Sequence, residues 1–184
     1  MATTVQRLRR EDTTLLIVDV QERLLPAMFE AERVLRNCAL LARAARRLEL
    51  PVVVTEQYPE KLGLTVALLA EALGKIAPIS KMLFSACTEN TLSALRDSGR
   101  STVLLCGLET HVCVLQSALD LIENGFTVFV PGNAVSSRYE SDKIAGLERM
   151  RHAGVIPSST ESAIFELLRQ AGTPEFKALL PLLK

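Results

Sequence analysis

The chain has 184 residues, of which 48% are hydrophobic and 23% are charged, and its 21 basic and 21 acidic side chains cancel. This length fits a single domain, 1–184, with a substantial core, and the composition is too apolar for a disordered chain. The balanced charge does not indicate nucleic-acid binding, and no apolar run suits a membrane span or a secretory signal. We therefore expect a cytoplasmic protein that binds neither nucleic acid nor membrane.

Short apolar runs alternate along the chain with longer segments that have the hydrophobic period of a helix. The pattern predicts strands at 14–20, 51–55, 76–80, 102–106, 127–131 and 154–156, and helices at about 30–48, 66–73, 89–98, 112–123, 141–153 and 159–170. Strand–helix–strand repeats are typical of parallel strands joined by right-handed crossovers. The sequence therefore predicts a three-layer αβα fold, Rossmann-like and doubly wound, with a six-stranded parallel sheet in the order 3-2-1-4-5-6.

Residues at the helix ends support these boundaries. Thr88 precedes the helix at 89–98, and Ser158 or Ser159 precedes the helix at 159–170; both residue types accept hydrogen bonds from a first helical turn. The core is expected over about 13–170. The remaining tail, 171–184, is expected to pack on the core or to contact a partner.

Three side chains that can perform chemistry follow predicted strands. Asp19 follows the apolar residues 15–18, Lys81 follows the third strand, and Cys113 follows the fourth strand after a turn that begins at Gly107. In a doubly wound sheet, ligands bind outside the carboxyl ends of the strands, where the strand order reverses. If strands one and four are neighbours there, Asp19 and Cys113 face one crevice.

An aspartate, a lysine and a cysteine together suit nucleophilic attack on a carbonyl carbon. Asp19 would take the thiol proton as general base, and Lys81 would lower the pKa of both groups. The start of a helix would also favour the Cys113 thiolate. Backbone N–H groups from Leu108 to Cys113 would hold the oxyanion, and water would then release the acyl group. We therefore expect Cys113 to be the most readily alkylated thiol of the chain.

The same residue types also have purely structural interpretations. An aspartate often caps a helix, a lysine is usually solvated, and a cysteine is often a small core residue. Cys38 and Cys106 fit the core interpretation, and Cys87 is expected to be inert. His111 lies two residues from Cys113, a spacing at which side chains on a helix do not face each other. The chain shows neither a CxxC pair nor a zinc-binding pattern, and no G-x-G-x-x-G follows the first strand.

Three motifs give the chain a family resemblance over about 13–170. They are the run LIVDVQ that ends at Gln21, the stretch KMLFSA at 81–86, and GLETHVCV at 107–114. In these motifs the chain resembles the isochorismatase-like cysteine hydrolases. The resemblance implies a metal-independent hydrolase without a cofactor.

The resemblance also implies roles for individual residues. Asp19, Lys81 and Cys113 match the catalytic triad of the family. A non-proline cis peptide would lie at Leu108–Glu109, in a turn that continues through Val112 to Cys113 and aims backbone donors at the oxyanion.

Further segments narrow the resemblance to one branch. The sequences TEQYP at 55–59, SSR at 136–138 and RMR at 149–151 are similar to the isochorismatase-domain-containing proteins, which have no assigned physiological substrate. Zinc-binding nicotinamidases carry an aspartate and histidines after the second strand, whereas the first histidine here is His111. The resemblance therefore disfavours a catalytic metal. Isochorismatase itself hydrolyses a vinyl ether, which needs no acyl-thiol, so the retained cysteine favours amide or related C–N chemistry.

The function expected is hydrolysis of a small amide through a covalent acyl-thiol intermediate. Five side chains are expected to line the substrate pocket: Gln21, Gln57, Tyr58, Phe84 and Arg138. A non-catalytic binding or scaffold protein of the same fold is the alternative, and a thiol redox protein is a third possibility that lacks an evident resolving cysteine. Because relatives commonly assemble and the tail at 179–183 is apolar, we also expect a homo-oligomer.

Overall fold

The fold is built around one sheet of parallel strands in the computed structural model, which describes residues 5–183. The strands are β1 (Thr13–Val18), β2 (Val52–Gln57), β3 (Ile79–Lys81), β4 (Thr102–Leu108), β5 (Thr127–Pro131), β6 (Val135–Ser136) and β7 (Ile156–Ser158). The helices are α1 (Ala31–Arg47), α2 (Pro59–Leu62), α3 (Ala67–Leu73), α4 (Glu89–Asp97), α5 (Leu115–Glu123), α6 (Glu140–His152), α7 (Thr160–Leu168) and α8 (Pro174–Leu179).

The strand order is β3-β2-β1-β4-β5-β7, and every pair is parallel. This confirms the predicted order, because β7 is the sixth strand that the sequence predicts. The short β6 pairs with the carboxyl end of β4, beyond the part of β4 that pairs with β5. The chain therefore reverses its direction of strand addition between β1 and β4, and a crevice opens there.

Central strands and amphipathic helices build the core. All residues of β1 and β4 are buried, as expected for strands covered by helices on both faces. Helix α1 packs against β1 and β4 and also contacts α3, α7 and α8, whereas α5 contacts β5 and α6. The apolar face of α1 contributes Val34, Cys38 and Leu41 to the core. The result is the predicted three-layer α/β architecture.

The structure differs from the prediction mainly at element boundaries. β1 ends at Val18 because Asp19 adopts a positive φ of 55°. β7 begins at Ile156 rather than Gly154, because Gly154 has φ 102° and Val155 still bonds to the last turn of α6. The sequence pattern did not reveal β6, which is too short to show a period.

The C-terminal tail packs on the core in the part of the chain that is described. Thr173 caps α8 by accepting a hydrogen bond from Phe176 N. Leu179 is buried, whereas Leu182 remains partly exposed. In residues 5–183, no helix combines the length and apolar character needed to cross a bilayer.

Candidate active site

Strand register brings Asp19 and Lys81 to the same edge of the sheet. Val18, the last residue of β1, lies between Thr55 of β2 and Gly107 of β4. Lys81, the last residue of β3, lies beside Gln57 at the end of β2. The side chains of Asp19 and Lys81 are fully buried. Two charges that the sequence separates by 62 positions thus meet at the switch point.

Asp19 and Lys81 form a buried ion pair. Lys81 Nζ lies 2.6 Å from Asp19 Oδ2, and Thr55 Oγ1 donates to Asp19 Oδ1 at 2.7 Å. Lys81 Nζ also donates to Gln57 Oε1 at 2.7 Å, to Phe84 O at 3.0 Å and to Leu83 O at 3.2 Å. Because an ammonium has three protons, these three acceptors use all of its donors.

The hydrogen bonding of Asp19 leaves one oxygen available. In residues 5–183, Asp19 Oδ2 is buried without a directed hydrogen-bond partner, although Lys81 Nζ neutralises its charge. A buried acceptor without a donor is costly in a folded protein. The Cys113 thiol is a neighbouring group that can donate a proton to the Asp19 carboxylate. This arrangement suits proton transfer from sulfur to carboxylate.

Two glycines allow the turn that carries Cys113 to approach the sheet and α6 closely. The turn Thr110–Val114 is π-helical and leads directly into α5. Gly107 has φ 120°, and a Cβ atom there would overlap the carbonyl oxygen of Val18. On the other side, a Cβ on Gly146 of α6 would lie 3.0 Å from His111 Cα. Cys113 is therefore held deep in the site, with 6% of its surface exposed.

Burial controls the protonation of the site. Burial and the Asp19 carboxylate raise the pKa of the Cys113 thiol to about 12, against the opposing effects of Lys81 and the Glu109 backbone N–H. Burial also raises the pKa of Asp19, while the adjacent Lys81 ammonium, the Thr55 hydroxyl and the Cys113 thiol lower it. Lys81 acts on the thiol in the expected direction, but desolvation outweighs its effect on the pKa of Cys113. The resting Cys113 is a protonated thiol beside a buried carboxylate.

Cys38 and Cys106 lie in the core, as the sequence predicts, whereas the predicted inertness of Cys87 stays a prediction. Cys38 and Cys106 are fully buried, and Cys87 is partly buried with its pKa raised to about 11, chiefly by burial. Cys87 is the thiol that competes with Cys113 for reagents. The prediction that Cys113 is the most readily alkylated thiol therefore stays a prediction.

The turn before Cys113 is tied to the segment after β6. The peptide bond between Leu108 and Glu109 is cis. Glu109 Oε2 accepts from Arg138 Nε at 3.1 Å, and His111 Nδ1 lies 2.9 Å from Ser137 Oγ. Val112 N and Val114 N both donate to Glu109 O at 3.1 Å. Since the amide of Val112 is used in this way, Cys113 and Glu109 are the better candidates for oxyanion donors.

The five predicted pocket residues have different surroundings. Gln21 is fully buried, and its side-chain amide forms hydrogen bonds with Gly63 O, Gln57 O and Gln57 N. It therefore holds the backbone of Gln57 in place. Gln57 joins Lys81 to Met82 O. Tyr58 and Phe84 are exposed beside these groups.

Arg138, the fifth predicted pocket residue, has a more than half-exposed side chain. Its guanidinium is already paired with Glu109. Of the five, Tyr58, Phe84 and Arg138 have the most exposed side chains.

Cavity volume alone does not locate this site. A cavity of about 790 Å³ lies between the N-terminal residues Arg7 and Arg9 and the α7 residues Phe165 and Glu166. These N-terminal residues precede β1, so the cavity lies toward the amino ends of the strands. The site is better assigned from the buried charges at the carboxyl ends, since perturbed titratable groups mark functional sites more specifically than volume does.

Two supporting residues were missed by the sequence analysis. Thr55 was noted only as part of a motif, although its position at the end of β2 signals that it neighbours Asp19. Ser117 accepts from Ala86 N at 2.7 Å and donates to Cys113 O at 2.5 Å. It thereby joins the loop after Lys81 to the turn of Cys113, a contact that no local sequence signal reveals.

Comparisons with known proteins agree with this fold. The isochorismatase domain model matches residues 13–162. Isochorismatase domain-containing protein 2 of Danio rerio is 39% identical over 97% of this chain and 90% of its own length. The MAR1 ribonuclease structure from Caenorhabditis elegans is 36% identical, with a TM-score of 0.91 over 96% of this chain and 92% of its own. The YcaC structure from Escherichia coli, described as an octameric hydrolase of unknown specificity, is 25% identical, with a TM-score of 0.90 over 98% of this chain and 92% of its own. The chain belongs to the isochorismatase family, which suggests hydrolase activity.

Proposed function

We propose that this protein is a cysteine hydrolase that cleaves a small amide or a related C–N bond through an acyl-thiol on Cys113. The observation that carries the proposal is the buried Asp19 carboxylate, which is paired with Lys81 at 2.6 Å and lies beside the protonated thiol of Cys113. Family membership supports hydrolysis, and the side chains supply the chemistry without a metal or a cofactor.

The first half of the reaction forms the acyl-thiol. Cys113 Sγ attacks the carbonyl carbon while its proton passes to Asp19. Backbone N–H groups at Glu109 and Cys113 stabilise the oxyanion, an interaction worth about 3–4 kcal/mol per donor in comparable sites. Asp19 then returns the proton to the leaving nitrogen, and the C–N bond breaks.

The second half of the reaction releases the product. Water gives a proton to Asp19 as its oxygen attacks the thioester carbon. The C–S bond then breaks while Asp19 returns this proton to the sulfur, which restores the thiol and the carboxylate and releases the acid. Lys81 does not transfer protons in this scheme. Its ammonium keeps Asp19 ionised between the two steps, because it opposes the burial that raises the pKa of the carboxyl.

A panel of substrates tests this function. Primary amides, ureido acids and carbamoyl compounds are incubated with the wild-type protein and with Cys113→Ser, and ammonia or amine release is measured. We expect turnover of at least one amide by the wild type alone. Cys87→Ser, which alters a cysteine outside the site, is the matched control and should retain activity.

The same panel separates the alternatives. A protein that binds one of these compounds without consuming it would be the non-catalytic binding protein. Because one similar structure is called a ribonuclease, RNA is included as well. The equal numbers of acidic and basic residues favour a small substrate over RNA. A cytoplasmic location remains a prediction.

We further propose that the protein forms a homo-oligomer. The octameric neighbour supports assembly, and Met82 and Leu83 expose 66% and 64% of their surface. Their backbone is held by the Lys81 and Gln57 side chains, so the two apolar side chains project from an ordered loop. Light scattering at micromolar concentration should show an oligomer that Leu83→Lys weakens. Ile144→Lys, at an exposed apolar position on α6, is the control; a monomeric wild type would refute assembly.

A further inference from the structure

His111 occupies a place in the site that the proposed reaction does not use. It lies in the π-helical turn two residues before Cys113, with its backbone against Gly146 of α6. Its ring contacts two other groups. His111 Nδ1 is 2.9 Å from Ser137 Oγ, and His111 Nε2 is 3.9 Å from Asp142 Oδ2.

A serine beside a histidine and an aspartate resembles the residue set of a serine hydrolase, but the contacts exclude that role. Ser137 is fully buried, so a substrate cannot reach its hydroxyl. The distance of 3.9 Å between His111 and Asp142 is too long for the hydrogen bond that orients a catalytic histidine. The contact of His111 with Ser137 therefore requires another explanation.

The backbone around Ser137 is fixed by hydrogen bonds, so this residue can hold the histidine in place. Its carbonyl oxygen accepts from Phe29 N at 2.8 Å, and the preceding residue, Ser136, pairs with Leu108 of β4. The hydrogen bond between His111 and Ser137 thus connects the middle of the nucleophile-bearing turn to a segment that is fixed at both sides. A second contact, between Glu109 and Arg138, holds the start of the turn, but more than half of the Arg138 side chain is exposed.

We propose that His111 is a positioning residue, whose hydrogen bond to Ser137 holds the turn so that the Cys113 thiol faces Asp19. If Cys113 is the nucleophile proposed above, this bond is needed for the transfer of the thiol proton. The groups that face the thiol are the Asp19 carboxylate, the Lys81 ammonium and the Glu109 backbone N–H. Without the hydrogen bond to Ser137, the turn moves the thiol away from these three groups and closer to solvent.

Alkylation of Cys113 tests the proposal without a known substrate. The full-length protein in a Cys87→Ser background reacts with iodoacetamide at pH 7.5, and the labelled peptides are quantified by mass spectrometry over time. Because release from burial and from Asp19 favours the thiolate, His111→Ala and Ser137→Ala should each label Cys113 at least about threefold faster. The double variant should gain no more than either single variant, because both remove the same bond.

A conservative variant and a distant variant distinguish a positioning role of His111 from a general loss of packing in the protein. His111→Asn places a polar side-chain atom near the position of Nδ1 and should restore labelling to within about twofold of the background protein. His152→Ala, which removes an exposed histidine, should have no effect. Unchanged labelling in His111→Ala would overturn the proposal, as would faster labelling in His111→Asn or the appearance of label on the buried Cys38. Failure of the amide panel alone would refute the proposed function but not this labelling pattern.

Discussion

Replacement of Asp19 by asparagine separates the reactivity of the thiol from its ability to turn over substrate. Asp19→Asn keeps the size of the side chain but removes the carboxylate that raises the Cys113 pKa through its charge and a hydrogen bond. Lys81 Nζ, which lies 2.6 Å from Asp19 Oδ2, then has no carboxylate partner and favours a neighbouring thiolate. We therefore expect faster alkylation of Cys113 together with loss of hydrolysis.

The size of the effect follows from the thiol pKa. At pH 7.5 a thiol with a pKa of about 12 is ionised to only about 3 parts in 100,000. Each unit by which the pKa falls gives about tenfold more thiolate, but the less basic sulfur is intrinsically about threefold less nucleophilic. A fall of one unit or more therefore gives labelling at least about threefold faster. Loss of the general base should lower kcat by about 100-fold or more.

The assay follows iodoacetamide labelling of the Cys113 peptide between pH 7 and 10 in a Cys87→Ser background. The rise in labelling rate should begin at lower pH in Asp19→Asn than in the background protein. Asp97→Asn, which removes an exposed carboxylate on α4, is the control for net charge. Slower labelling in Asp19→Asn, or turnover equal to wild type, would refute the assignment of Asp19 as the base.

Two further predictions concern stability. Lys81→Met leaves the Asp19 charge buried and unpaired, so the free energy of unfolding measured in urea should fall by about 3–5 kcal/mol. Adding Asp19→Asn should recover part of this loss. A loss below about 1 kcal/mol would contradict a buried ion pair. Gly107→Ala places a methyl group against the β1 backbone at φ 120° and should cost about 3 kcal/mol or more. Gly99→Ala, at φ 67° with open space around it, should cost only about 1 kcal/mol, and equal losses for both glycines would show that the close approach is unimportant.

The position of the site could be predicted because it depends on topology. Asp19 follows an apolar run, and the switch-point rule places the end of such a strand at the ligand crevice. Lys81 ends the third strand and Cys113 follows the fourth strand, so both lie at the same edge of the sheet. The strand order then brings all three together without any knowledge of the loops.

The protonation of the site could not be predicted in the same way. It depends on how deeply the turn of Cys113 is buried, and that depth results from Gly107 and Gly146, which are far apart in the chain. The hydrogen-bond partners of Lys81 could not be predicted from the sequence either, because Leu83 and Phe84 contribute backbone carbonyls that any residue type would supply. Sequence patterns describe which side chains are apolar or charged, but not which backbone groups approach them.

The central claim is that Cys113 carries the acyl group during turnover. The most direct test is acid quenching of the wild-type protein during hydrolysis of an amide identified in the panel, followed by mass spectrometry of its peptides. We predict that the peptide containing Cys113 gains the mass of the acyl group and that the gain disappears in Cys113→Ser together with turnover. Turnover that persists in Cys113→Ser would contradict this account.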